Sequence, residues 1–313
     1  MRVGANAAEA PSPRALCWEA ATARERSRSP YASDPSWGLA GVIVKADANL
    51  VVEEFAMLLL TEIQDIFAAE QTPLQLRCYA VKAVTPTAGF VEYIPDARSL
   101  HDIKREAASL GEHFRDSFPR DPGPEDGRVP YAEAVERFVC STAAYAVACH
   151  VLQIRDRHNG NVLLTAAGQL VHVDFGFVLG MAPGGALSVE SAPFKLTTEF
   201  VDLMGGTDSP EFRRFRSLCA VGFLALKHKA PRLLAHLETC AALARQGDPV
   251  ACRQLPCLER GDDVVARVRE RMMLHMSNDA IVSRTNSLID ESLDAWGTWL
   301  YDAYQQSANR IRH

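Results

Sequence analysis

The chain contains the stretch Gln153-Ile154-Arg155-Asp156-Arg157-His158-Asn159-Gly160-Asn161 and, after a short interval, Val171-His172-Val173-Asp174-Phe175-Gly176. Between these runs an apolar segment extends to Leu164, breaks at turn residues ending in Gly168, and resumes at Leu170. The pattern predicts a two-strand hairpin. Because the two arms of a hairpin end side by side, we expect Asn161 and Asp174 to lie close together.

The side-chain oxygens of Asn161 and Asp174 suit a Mg²⁺ ion, which prefers a few protein oxygens and keeps several waters. Transfer of a phosphoryl group from a nucleotide needs such an ion to neutralise charge on the β- and γ-phosphates. It also needs a fixed group that accepts or shares the proton of the attacking hydroxyl. Asp156 and His158 are the candidates, and the sequence leaves open which is the base and which positions the acceptor. We therefore predict four catalytic residues, of which Asn161 and Asp174 also bind the metal.

Protein kinases place these roles on H-R-D, with an Asn five residues after the Asp, and on D-F-G. This chain keeps D-F-G but reads D-R-H, with Asn161 three residues after His158. The combination D-R-H-x-x-N and H-V-D-F-G resembles the catalytic core of the phosphatidylinositol 3/4-kinase superfamily. Residues 191–206, which include F-K-L-T-T-E-F, are similar to the activation-segment exit of phosphatidylinositol 4-kinases, and within these to the type III beta branch. D-F-G alone would be a weak signal, whereas the two motifs together are specific.

The resemblance predicts a nucleotide-binding small lobe upstream. Val42-Ile43-Val44-Lys45 resembles the strand whose lysine meets the nucleotide phosphates. Ser29 lies in a segment that resembles the phosphate-covering turn, where Ala32 stands at a position that is usually glycine in the family. The resemblance therefore implies Lys45 and Ser29 as ATP contacts.

Helical periodicity from Leu50 to Phe67 follows this strand. The family places an acid eight residues after the lysine, which selects Glu53 over Glu54 as the partner that holds Lys45 extended. The alternative is that a first-turn acid only favours the helix dipole. Further on, the resemblance implies that residues Val91 to Ile94 form the hinge whose backbone contacts adenine.

The activation segment, between Asp174 and Gly206, should select the acceptor. It contains a single basic residue, Lys195. Acceptors with several head-group phosphates need a cluster of cations, so one cation suits phosphatidylinositol itself. The alternative is that Lys195 only neutralises Glu190 or Glu199.

Three further segments frame this core. Residues 1–28 are rich in Ala, Pro, Ser and Arg and are predicted to form a disordered leader. Residues 131–152 are apolar on most faces and predict a buried central helix directly before the catalytic loop. The last helix carries an apolar stripe, which we expect to pack under the large lobe rather than lie in a membrane interface. The residues of this stripe are Leu293, Trp296, Trp299, Leu300 and Tyr304.

The composition fits one catalytic unit. The 313 residues are 48% hydrophobic and 23% charged, which is enough apolar material for two lobes around a cleft. The net charge of −6 gives no overall field that attracts nucleic acid. The sequence shows neither a signal peptide nor a long apolar run typical of a transmembrane span. Eight scattered cysteines lack a C-x-x-C pair and indicate reduced thiols rather than a zinc or disulfide framework.

The sequence thus predicts an α+β, bilobal, protein-kinase-like fold, with the small lobe over residues 29–93, the large lobe over 94–313 and the family resemblance over about 25–305. The resemblance implies transfer of the ATP γ-phosphate to the 4-hydroxyl of phosphatidylinositol, with ATP and Mg²⁺, or Mn²⁺ in its place, as cofactors. It also implies a cytoplasmic protein that acts peripherally on cytosol-facing, Golgi-like membranes. Small GTPases or adaptor proteins are the expected protein partners.

Three alternatives remain at this point. A phosphatidylinositol 3-kinase would need a different activation segment. A protein kinase of the related high-molecular-weight class would show larger flanking regions than this sequence has. A catalytically silent scaffold could use the same fold to recruit small GTPases to membranes. The presence of every expected catalytic residue argues against the scaffold, whereas Ala32 keeps that alternative open.

Overall fold

The computed structural model describes residues 18–46, 49–85, 87–121, 123, 127–181, 183, 192–245, 255–293 and 295. These residues form a mixed structure of α-helices and antiparallel strands, as the sequence predicts. The helices are α1 (Trp18–Arg28), α2 (Leu50–Ala69), α3 (Leu100–Glu106), α4 (Leu110–Ser117), α5 (Tyr131–Leu152), α6 (Thr198–Leu203), α7 (Pro210–His228), α8 (Ala230–Arg245), α9 (Asp262–Arg271) and α10 (Asn278–Ser292). The strands are β1 (Val42–Ala46), β2 (Val81–Thr85), β3 (Ala88–Glu92), β4 (Ala97–Ser99), β5 (Val162–Thr165) and β6 (Leu170–His172).

The first sheet has the antiparallel order β1-β3-β2 and is covered on one face by α2. Asn49 caps this helix, because its side chain accepts a hydrogen bond from the Val52 N–H. Lys45 lies opposite Gly89 in the sheet register. Strand side chains alternate between the two faces, so this register fixes the face from which Lys45 projects.

The second sheet has the order β4-β5-β6 and contains the predicted hairpin. Val162 pairs with His172 and Leu164 pairs with Leu170, so the hairpin prediction is confirmed. Gly168 in the turn has a φ of +85°, a backbone conformation that residues with a Cβ rarely adopt. The hairpin therefore returns the chain to the end at which the catalytic loop began.

Helix α5 is the buried central helix that the sequence predicts, over the same residues. It packs against α7, and the Phe138 ring meets the rings of Phe114 and Phe200 edge to face. Among the described residues it alone is long and apolar enough to be a candidate membrane span, but 83% of its most apolar window is buried in the protein. It ends at Leu152, and the C-cap residue Gln153, which has a left-handed backbone (φ 47°), starts the catalytic loop.

The prediction of a disordered leader is wrong for residues 18–28, which form α1. This polar helix is anchored at its beginning, where the Trp18 N–H donates to Asp96 Oδ1 at 3.1 Å and the Trp18 ring lies 5.6 Å from the Tyr93 ring. At its end, the Arg26 guanidinium lies over the Trp37 ring. Such aromatic contacts compensate for the weak amphipathic pattern of the helix. Residues 1–17 and the predicted stripe beyond Leu293 lie outside the described residues.

We predict that Gly168→Ala destabilises the protein by about 2–4 kcal/mol, because it combines a left-handed backbone with a steric clash. A Cβ at this position would lie 2.7 Å from the backbone oxygen of Ala134 in α5. Urea unfolding of the variant measures the loss. Gly38→Ala is the matched control, since a Cβ at Gly38 meets nothing within 4 Å. Equal unfolding free energies for the two variants would contradict the prediction.

Candidate active site

Lys45 of β1 binds two carboxylates, one on α2 and one just beyond β6 of the second sheet. Its Nζ lies 3.1 Å from Glu53 Oε2 on α2 and 3.2 Å from Asp174 Oδ1, just beyond β6. Burial lowers the pKa of Lys45, but the charges of Glu53 and Asp174 together outweigh burial and raise its pKa above the ordinary value. Lys45 therefore carries its positive charge at neutral pH, between a buried acid and an exposed one.

Glu54, the alternative acid on α2, makes different contacts. Its carboxylate accepts hydrogen bonds from Lys82 Nζ at 2.9 Å and from the Ala83 N–H at 3.1 Å, both on β2. The helix thus uses neighbouring acids for two purposes. Glu54 fixes α2 to the sheet, and Glu53 points to Lys45.

Tyr79 holds Glu53 in place, a role that the sequence did not predict. The Tyr79 hydroxyl donates to Glu53 Oε1 at 3.2 Å, so both oxygens of this buried carboxylate are bound. Burial, followed by the charge of Glu53, raises the pKa of Tyr79 well above its usual value, which keeps the hydroxyl protonated as a donor. The Tyr79 ring stacks on Phe175 of D-F-G with centroids 6.4 Å apart. A single Tyr just before β2 gives no sequence signal for this role.

Arg157, the middle residue of D-R-H, fixes the catalytic loop to the segment that carries Asp174. Its side chain donates to four backbone oxygens, those of Arg155 (Nε, 2.9 Å), Val173 (2.7 Å), Asp174 (2.5 Å) and Asn161 (3.5 Å). Its guanidinium also lies 5.2 Å from the centroid of the Phe175 ring. The side chain is almost fully buried. Arg157 is part of the D-R-H motif, but the sequence does not reveal which backbone oxygens it binds.

The catalytic loop places Asp156, His158 and Asn161 on the same short segment. Asn161 Nδ2 donates to the backbone oxygen of Asp156 at 2.9 Å and lies 3.4 Å from its Oδ2. The Gly160 N–H donates to His158 Nδ1 at 3.0 Å. This bond places the ring proton of a neutral imidazole on Nε2. His158 in this geometry is a donor at Nε2.

Asp156 and Asp174 both have left-handed backbones, with φ of 65° and 61°. Each such conformation costs about 1–2 kcal/mol for a residue with a Cβ, although Asp tolerates it better than most. The hydrogen bonds of Arg157 and the amide contacts of Asn161 hold these conformations. Strain at two acids of one site is typical of a functional centre.

The residues present fit a divalent cation that arrives with phosphate. The amide NH₂ of Asn161 faces Asp156, which turns its oxygen away from that contact, and the Asp174 carboxylate is half exposed. No group of three or more His, Cys, Asp and Glu side chains in the described part of the chain could hold a metal ion. An ion shared by Asn161 and Asp174 would complete its coordination with phosphate and water oxygens, which is the habit of Mg²⁺.

The predicted hinge, residues Val91 to Ile94, begins inside the first sheet. Val91 lies inside β3, the central strand of its sheet, and its backbone pairs with β1 and β2. The next two amides are bound within the protein, because the Glu92 N–H donates to Ala80 O at 2.8 Å and the Tyr93 N–H donates to Gly41 O at 2.9 Å. Val91 thus lies within the sheet and Ile94 lies just beyond it, and the contacts of both residues with adenine stay predictions.

Ser29 lies in a compact turn between α1 and β1. Its Oγ accepts hydrogen bonds from the Tyr31 N–H (3.1 Å) and from Trp37 Nε1 (3.0 Å), while the Ala32 N–H donates to the Ser29 backbone oxygen at 3.2 Å. The serine therefore organises the turn, and its contact with phosphate stays a prediction. The amide of Ala32 is directed into the turn.

Lys195 lies three residues before α6, and its Nζ is buried. Burial, followed by the charges of Arg157 and Lys195, lowers the pKa of His172 in β6 well below its usual value. Glu199, one of the acids that Lys195 might only neutralise, is bound by Lys104 Nζ at 2.7 Å. The other acid, Glu190, lies outside the described residues.

Comparison with known proteins gives concordant results. Residues 40–246 match the family model described as "Phosphatidylinositol 3- and 4-kinase". The chain is 37% identical over 299 residues to phosphatidylinositol 4-kinase beta 2 of Arabidopsis thaliana, covering 94% of this chain and 26% of that protein. It is 32% identical over 303 residues to phosphatidylinositol 4-kinase of Dictyostelium discoideum (96% and 24%) and 34% identical over 294 residues to phosphatidylinositol 4-kinase beta of Xenopus laevis (94% and 35%). The chain thus spans about a quarter to a third of the length of these relatives.

We predict that Tyr79→Phe lowers the unfolding free energy by about 1–3 kcal/mol, because it leaves a buried oxygen of Glu53 without its donor. The substitution keeps the ring that stacks on Phe175. Urea unfolding measures this loss. The KM for ATP should also rise severalfold, because Glu53 without the Tyr79 hydroxyl holds Lys45 less firmly. Tyr31→Phe removes a hydroxyl from an exposed ring and is the control. A Tyr79→Phe variant as stable as this control would show that the hydroxyl does not hold Glu53.

Proposed function

Since this chain belongs to the phosphatidylinositol 3- and 4-kinase family, we propose that it transfers the γ-phosphoryl group of ATP to the 4-hydroxyl of phosphatidylinositol. Membership of the family implies ATP and a divalent metal, and it implies a bilobal, protein-kinase-like fold. We assign β1 to β3 with α2 to the small lobe and the remainder from β4 onward to the large lobe. The cleft between them would hold the nucleotide, with Mg²⁺ as the metal.

The observation that carries the proposal is the position of Lys45 Nζ between Glu53 and Asp174. A lysine held extended by a buried acid is suited to nucleotide phosphates, since its charge stabilises the negative charge that accompanies phosphoryl transfer. When bound, the metal supplies further neutralisation of the phosphate charge, and Asn161 and Asp174 would hold it. Arg157 keeps the two metal-binding segments at a fixed separation through their backbone oxygens.

The hydrogen bonds of the loop support different roles for Asp156 and His158. His158 accepts the Gly160 N–H at Nδ1 and presents a proton at Nε2, so we assign it as a donor to the reacting oxygens. To act as a base at Nε2, the ring would have to shift its proton to Nδ1 and lose that bond. Asp156, which lies against Asn161, is then our candidate for the group that accepts the proton of the attacking hydroxyl.

Phosphatidylinositol is the proposed acceptor because Lys195 is the one basic residue between Asp174 and Gly206. One ammonium suits a single phosphodiester, and the relatives named above are all called phosphatidylinositol 4-kinases. A lipid acceptor requires action at a membrane surface, and we propose a cytosol-facing one. Contacts with small GTPases or adaptor proteins, and a Golgi-like location, stay predictions.

The test is Mg²⁺-dependent transfer of labelled phosphate from ATP to phosphatidylinositol vesicles, with the labelled position of the inositol ring mapped. We expect label at position 4, and we expect Asp174→Asn to reduce the rate at least about a hundredfold, since it removes a metal-binding charge. Mn²⁺ in place of Mg²⁺ tests the choice of metal.

Two outcomes would contradict the proposal. Label at position 3 would assign the chain to the 3-kinases. A folded protein that binds ATP and labels no lipid would favour the scaffold.

A further inference from the structure

Arg155, the residue before Asp156, contacts both ends of the activation segment. Its backbone N–H donates to the Phe177 backbone oxygen at 2.9 Å, directly after D-F-G. Its guanidinium donates to the Ala192 backbone oxygen at 2.5 Å, where the described chain resumes on the far side of the segment. Arg155 therefore binds two positions that are 15 residues apart in sequence, one through its backbone N–H and the other through its guanidinium.

The contact at Ala192 controls the orientation of the chain that follows. Ala192, Phe194 and Leu196 are buried, and Lys195 is partly buried with its Nζ shielded from solvent. Phe194 and Leu196 belong to the hydrophobic core. A slip of the chain by one residue would move both side chains out of their buried positions and would lose that burial. The bond from Arg155 to Ala192 holds the chain directly before these residues.

A second arginine nearby makes a different contact and serves for comparison. Arg271 of α9 donates from Nε to the Val151 backbone oxygen at 2.8 Å, at the end of α5. Burial, followed by the charge of Arg155, lowers the pKa of Arg271 to about 10, so the two guanidiniums lie in the same region. Its described hydrogen bond is to α5 rather than to the activation segment. Arg271 thus matches Arg155 in charge and in partial burial, but it binds a backbone oxygen of α5 instead of one in the activation segment.

We propose that Arg155 is a positioning residue for the acceptor. It holds residues 192–196 against the catalytic loop and so sets the position of Lys195, the residue that we assign to the head group of the lipid. The proposal rests on the proposed function, because it concerns the acceptor of that reaction. It predicts that loss of the Arg155 side chain impairs transfer to lipid and leaves the handling of ATP intact, since Lys45, Glu53 and Asp174 are bound independently of this contact.

The experiment compares Arg155→Met, Arg155→Lys and Arg271→Met with the wild type. Each protein is assayed for kcat/KM with phosphatidylinositol vesicles, for lipid-free ATP hydrolysis and for the KM for ATP. We expect Arg155→Met to lower kcat/KM for the lipid about ten- to a hundredfold, the effect of a misplaced acceptor, and to change ATP hydrolysis less than about twofold. Arg155→Lys should recover part of the loss, because an ammonium can still donate to a backbone oxygen. Arg271→Met should leave the ratio of lipid transfer to ATP hydrolysis unchanged.

Hydrogen exchange of the same variants tests the contact without any assay of activity. In Arg155→Met we expect faster exchange in the peptide covering residues 192–198 and wild-type exchange over residues 175–181, which the backbone N–H of residue 155 still holds. In Arg271→Met we expect wild-type exchange in both peptides. An equal loss of lipid transfer and ATP hydrolysis in Arg155→Met would overturn the positioning role. Unchanged exchange in that variant, or the same fall in the activity ratio in Arg271→Met, would also overturn it.

The outcomes separate this inference from the proposed function. If the wild type labels no lipid, the proposed function fails and the acceptor role of Arg155 fails with it, whatever the exchange data show. If the wild type labels phosphatidylinositol and Arg155→Met behaves as the wild type, the proposed function stands and this inference alone is wrong.

Discussion

The buried guanidinium of Arg157 is the constraint on which the site depends. Removing a charge from water is costly unless hydrogen bonds replace its hydration. Here the compensation comes from the backbone oxygens of Arg155, Val173 and Asp174 and from the face of the Phe175 ring. The guanidinium cannot leave these partners without exposing an unpaired charge to the core. The catalytic loop and the D-F-G segment therefore behave as one rigid piece, and the left-handed conformations of its two acids persist within it.

The helix that carries Glu53 is held to this piece from the other side. Near the far end of α2, Arg232 of α8 binds Glu62 and Asp65 at 2.7 and 2.8 Å. One helical turn further, Glu70 accepts a hydrogen bond from His228 of α7 at 2.8 Å. Exposed ion pairs contribute little singly, but Glu62 is nearly buried and α2 packs along both helices. The helix is thus held by α7 and α8 along its later turns, while Glu53 in its first turn binds Lys45.

Much of this arrangement could be predicted from the sequence, and the part that could not has a common physical cause. The hairpin and α5 follow from side-chain type and spacing, which the sequence displays. The lysine strand and the acid eight residues later follow from the family resemblance of the motifs. Tyr79 and Arg155 escaped prediction because their importance lies in long-range partners, a buried carboxylate for one and a backbone oxygen for the other. A backbone oxygen has the same chemistry in every residue, so no pattern announces it. Helix α1 escaped for a similar reason, because Trp18 docks on residues far along the chain.

The positive φ values of Asp156 and Asp174 also restrict how this site can change in evolution. Gly accepts a left-handed backbone without strain, and Asp and Asn adopt it at a lower cost than β-branched and bulky residues do. A substitution at either position is therefore filtered by backbone shape before its chemistry matters. Among residues with a Cβ, the substitution that the backbone tolerates best is Asp→Asn, which keeps the side-chain shape and removes the charge. A lineage that abandoned catalysis on this scaffold would be expected to carry Asn or Gly at these two positions, and the loss would leave the fold almost unmarked.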